Sequence, residues 1–105
     1  MDRNKLERLR QTLADLRRVQ PKSRQLQSVA GQLGRRPVKR GKEPMYESEP
    51  FPHLRPLSIP NHKGRDMAPG TRNSILNQLE EDADAWEEEI ERQEGGNGGR
   101  NGSGG

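Results

Sequence analysis

The chain contains no cysteine, two histidines and a single residue each of tryptophan, tyrosine and phenylalanine among 105 residues. Without thiols it can form neither a disulfide nor a thiolate metal site, which agrees with a reducing compartment. The histidines, His53 and His62, stand nine apart. No metal-ligand spacing, Walker loop or dinucleotide fingerprint is present, so neither a metal nor a cofactor is expected. No run of apolar residues reaches ten, and the opening MDRNKLERLR lacks the hydrophobic region of a signal peptide. Neither export nor membrane spanning is supported, and a cytoplasmic location is expected. Leu, Ile, Val and Phe together number only 17, a level at which disorder has to be considered. Such a chain holds one domain at most, and the folded part is expected in the middle, roughly 60 residues, with both ends loosely attached.

What the sequence has in quantity is charge, distributed unevenly. Residues 1–69 carry 16 Lys or Arg against 7 Asp or Glu, and residues 70–105 carry 3 against 9. The overall +3 therefore hides a body of +9 and an end of −6. A basic body suits a polyanion such as RNA through counterion release, whereas an acidic helix repels one.

Over residues 4–19, Leu6, Leu9, Leu13 and Leu16 recur at spacings of three and four, with Pro21 ending the pattern. This spacing predicts an amphipathic helix too narrow to stand alone, which must dock on the domain, a second copy or a partner. Leucines without Trp or Phe anchors make the membrane surface a weak alternative. Ser23 is a candidate N-cap for a second helix carrying Leu26, Val29, Ala30 and Leu33, which Gly34 closes. Two short strands are predicted at 36–40 and 45–48, split by Gly41 and Pro44. The proline-rich 49–56 makes a long connection in which Phe51 and Leu54 close the edge of the core. A third strand at 57–59 stops at Pro60. After a turn at Pro69-Gly70, Thr71 is the expected N-cap of a last helix whose stripe is Ile75, Leu76, Leu79, Ala83, Trp86 and Ile90. Arg72 opens that helix and Glu87, Glu88, Glu89 and Glu91 close it, against its own dipole, which points to something basic near its acidic end. From Gly95 onward the composition predicts flexible coil.

The Ile59-Pro60-Asn61-His62 turn, the run Met67-Ala68-Pro69-Gly70-Thr71 and the helical Ser74-Ile75-Leu76 resemble the C-terminal half of the HicA family, small RNA-cleaving toxins of type II toxin–antitoxin systems. The resemblance spans roughly residues 23–86. It implies an α+β fold of the double-stranded-RNA-binding-domain type, an α-β-β-β-α core to which this chain adds an N-terminal helix. The corresponding division is an amphipathic helix over 1–21, a HicA-like domain over 22–93 and a flexible Gly-rich tail over 94–105. The implied partners are RNA and a cognate antitoxin protein, with association of two chains left open.

Metal-independent RNA cleavage needs a base for the 2′-hydroxyl, an acid for the leaving oxygen and donors for the phosphate. The family places its catalytic histidine in a Gly-Ser-His motif opening the second strand, where this chain reads Gly41-Lys42-Glu43. Three readings follow. Glu43 acts as base with Lys42 as phosphate donor, or His62 supplies the missing imidazole, or the protein binds RNA without cutting it. For contacts to RNA the candidates are Lys39, Arg40 and Lys42 at a basic hairpin tip, Lys63 and Arg65 in the following turn, and Thr71 and Arg72 at a helix start.

Overall fold

The computed structural model describes residues 1–40, 43–60 and 67–102, with side chains described outside 40, 43–44 and 96–102. The element order is α1 (Arg3–Arg18), α2 (Ser23–Gln32), β1 (Arg35–Arg40), β2 (Glu43–Ser48), β3 (Leu57–Ser58) and α3 (Pro69–Gly102). Asp2 caps α1, its carboxylate accepting the Lys5 amide at 2.7 Å, and Arg17 and Arg18 sit in the last turn, where the helix dipole favours cations. All four leucines of the α1 stripe are buried.

Two expected caps fall elsewhere. Lys22, not Ser23, occupies the N-cap of α2, and the Gln25 side chain reaches back to accept its amide at 2.8 Å. The Ser23 hydroxyl instead donates to the Pro60 carbonyl, tying α2 to the chain end of β3. In α3, Pro69 rather than Thr71 begins the helix, and the Ala68 carbonyl accepts the Arg72 amide at 3.0 Å. Proline suits that first position because it has no amide proton to satisfy and its φ is already helical. Thr71 thus lies inside the first turn.

Gly34 follows α2 with φ +102°, and a Cβ there would meet Pro50 Cγ at 2.7 Å and Cδ at 2.8 Å. Both the backbone and the packing therefore exclude a side chain. The Gly34 carbonyl also accepts the Glu49 amide at 3.1 Å, extending the sheet ladder by one rung.

The sheet is an antiparallel meander, β1-β2-β3, with Arg35 opposite Ser48, Pro37 opposite Tyr46 and Tyr46 opposite Leu57. Those positions share the face that carries buried Leu57 and Ile59 into the common core, with Tyr46 packed at its edge. On this face the first β1 residue is an arginine. Arg35 is fully buried against Asp82 of α3, with Nε to Oδ2 at 2.5 Å and Nη2 to Oδ1 at 2.9 Å. Its Nη1 donates to the carbonyls of Tyr46 at 2.8 Å and Arg55 at 3.0 Å. One guanidinium so joins β1, β2, the β2–β3 connection and α3. Beside it, Trp86 Nε1 donates to the Leu33 carbonyl at 2.8 Å, and Phe51 stacks edge-on against the Trp86 ring at 4.9 Å. The proline-rich connection is thereby pinned to the core.

Helix α1 packs antiparallel on α3 within the same chain. Arg3 pairs with Glu94 and Glu87, Arg10 with Glu87 and Asp84, and Arg17 with Glu80. Cations seven apart on one helix meet carboxylates seven apart on the other, the repeat that keeps one seam of each helix facing its neighbour. The acidic end of α3 has its basic partner here. Such part-exposed pairs contribute about 0–1 kcal/mol each, so they set the register while the buried leucines hold the helix down. The hydrogen bond from Arg3 holds the Glu87 carboxyl below its usual range, with partial burial opposing it. A carboxylate depressed in the folded state contributes stability above its unfolded pKa of about 4.3 and loses that contribution as the pH falls through the folded value. We expect hydrogen-exchange protection factors in α1 to fall faster than those in α2 on acidification from pH 5 to 3. Parallel loss in both helices would show that the carboxylates do not hold α1.

Composition predicts coil from Gly95, whereas the helical backbone of α3 runs to Gly102. Extending a formed helix requires no new nucleus, which permits this continuation even though each glycine costs about 1 kcal/mol relative to alanine.

Candidate nucleic-acid interface

The hairpin formed by β1 and β2 carries the first group of predicted contacts. Alternation along β1 puts Lys39 on the core face but beyond the reach of the helices, where it is exposed. Lys39 lies opposite Pro44 and Arg40 opposite Glu43, the last pair of the register. Among the described residues no carboxylate pairs with Lys39. Arg36, on the other face, does have a partner: it meets Glu49 at 3.0 Å, both side chains being well exposed. That outer face also holds half-buried Val38 and Met45 and has Glu47 opposite Arg36. Charges of both signs alternate across it, whereas Lys39 stands exposed on the opposite face.

The second group lies at the start of α3. Thr71 is exposed and Arg72 half-buried. Arg72 Nε is buried with no hydrogen-bond partner among the described residues. Since the Arg72 amide is the first committed to the helix ladder, the positive end of the dipole and a guanidinium lie together in this turn. No hydrogen bond or ion pair among the described residues links Thr71 or Arg72 to the hairpin end.

The structure thus brings Arg40 and Glu43 opposite each other by register. Lys42, proposed as a phosphate donor, lies outside the described residues, as do His62, Lys63 and Arg65. His53 is exposed, its ring edge-on to Phe51 at 6.2 Å. Among the described residues no group of three His, Cys, Asp or Glu is placed to hold a metal ion, and no helix is long and apolar enough to cross a membrane.

Sequence reasoning did not find the cations Lys5, Arg8 and Arg24, which line the crevice between α1 and α2. The signal was available in the helical repeat, because 5 and 8 fall on the flank opposite 3, 10 and 17. Comparison with known proteins adds no assignment: no family model, curated protein or solved structure matches this chain.

Proposed function

We propose that this chain is a HicA-like RNA-binding protein of the toxin–antitoxin kind, in which binding rather than cleavage is the activity its residues support. The observation that carries this reading is the hairpin end. An exposed Lys39 without an ion-pair partner among the described residues precedes Arg40 and, in the sequence, Gly41-Lys42, and a glycine among basic residues lets backbone approach phosphate closely. The α-β-β-β-α order from α2 to α3 supports a core of the double-stranded-RNA-binding type. Pairing of Glu80, Asp84, Glu87 and Glu94 of α3 with the arginines of α1 supports it further, because it offsets part of the acidic repulsion on that side of the molecule.

Binding is favoured over cutting by the chemistry at the second strand. Position 43, where the family motif has its histidine, is a glutamate. An ordinary carboxylate, with a pKa of about 4.3, is a weaker base near neutral pH than an imidazole of about 6.5. A cognate antitoxin is the protein partner this reading implies.

Incubated with a mixed-sequence RNA, the purified chain is expected to retard it on a gel and leave it intact. Glu43→Gln and His62→Ala are expected to bind as the parent does, because the phosphate contacts come from Lys and Arg. RNA cut by the parent and spared by either variant would replace this reading with that of a ribonuclease.

A further inference from the structure

The two flanks of α1 differ in what they meet. On one flank Arg3, Arg10 and Arg17 are all paired with carboxylates of α3. On the other, Lys5 and Arg8 line a groove of about 450 Å³ beside α2. This groove adjoins a second of about 360 Å³ that is lined by Arg24, the two sharing Thr12 and Gln32 as walls. Among the described residues none of Lys5, Arg8 and Arg24 has an ion-pair partner. The acidic side chain in the lining, Asp2, already accepts the Lys5 amide as the helix cap.

We infer that the α1–α2 groove is a second contact surface for the phosphate backbone of an RNA strand, additional to the hairpin end. The inference rests on the RNA-binding reading above and extends it to a helix that the family resemblance does not cover. Charge complementarity argues for a polyanion: three unpaired cations along one crevice face at most one carboxylate, and that one is engaged.

The crevice floor selects among anionic partners. Leu9 and Val29 are 3% exposed and Leu16 7%, so the floor offers almost no apolar surface to the anchors of an amphipathic helix. Val19 is the exposed large hydrophobic among the described residues, too little to anchor the chain in a lipid surface. An extended phosphate chain needs donors instead, and the rim supplies them. Those donors are Lys5, Arg8 and Arg24.

The test is a salt titration of binding to a mixed-sequence single-stranded RNA, comparing the parent with the triple variant Lys5→Gln, Arg8→Gln, Arg24→Gln. Glutamine keeps helix propensity nearly constant, and circular dichroism checks that the helices are retained. Losing three phosphate contacts is expected to reduce the slope of log K against log salt by about 2 and the affinity roughly 40-fold at 0.15 M salt. An unchanged slope in the triple variant, with a salt-dependent parent, would overturn the groove and leave the hairpin reading standing. A parent that shows no salt-dependent RNA binding removes the RNA reading and this inference together. Loss of binding to phosphatidylserine vesicles, with RNA binding intact, would assign the groove to lipid and overturn the inference.

Discussion

Replacing Asp82 with alanine is expected to destabilise the fold by about 3–5 kcal/mol, because it strands the Arg35 guanidinium in a dry interior. Arg35 and Asp82 side chains are 0% and 1% exposed, so water cannot take over the lost carboxylate without opening the core. The two carbonyls that Arg35 also reaches, those of Tyr46 and Arg55, stabilise its orientation but cannot neutralise its charge. For a domain of this size the loss corresponds to a melting point lower by roughly 12–40 °C, at about 4–8 °C per kcal/mol. The double variant Arg35→Met, Asp82→Leu separates a stranded charge from a lost strut. It removes both charges and keeps the volume, and is expected to recover most of the stability. If Asp82→Ala melts within about 1 kcal/mol of the parent, the ion pair does not organise the core as described.

Deleting residues 1–20 is the second large effect. Leu6, Leu9, Leu13 and Leu16 are all buried in the common core, and at about 1.5–3 kcal/mol for each side chain their removal costs roughly 6–12 kcal/mol. That range matches the whole stability of a typical domain, about 5–15 kcal/mol. The truncated chain is therefore expected to lose its cooperative unfolding transition and to bind a hydrophobic dye. Leu13→Ala gives the graded version, a loss of about 2–5 kcal/mol with the fold retained. A truncated chain that melts at the temperature of the parent would mean that α1 is an appendage.

The part of this architecture legible in the sequence is the part set by spacing. The leucines of α1 and the stripe of α3 recur at three and four, and all but the half-buried Trp86 are buried. Docking of a basic helix on an acidic one was readable from the charge order of α3, but its intramolecular form and the seven-residue register of the arginines were not. Those depend on a chain reversal through buried Pro21 that no local pattern encodes. Asp82 was hidden for a different reason. It sits three residues after Leu79 and four before Trp86, inside the apolar stripe, yet within an acidic run it reads as one more solvated charge. Its partner Arg35 is likewise one of several arginines around a strand start, and only the pairing of β1 with β2 and the approach of α3 distinguish it. At the candidate interface the basic hairpin followed from composition and turn residues. The crevice between α1 and α2 did not, because it depends on where the fold places the two helices, which local spacing does not encode.

RNA binding through the hairpin end is tested most directly by the same salt titration on the variant Lys39→Gln, Arg40→Gln, Lys42→Gln. The parent is expected to bind single-stranded RNA with an affinity that falls steeply with salt, and the variant to lose about 2 units of that slope. A parent slope near zero, or a variant that retains the parent slope in full, would contradict the assignment of the hairpin as the RNA-contacting surface.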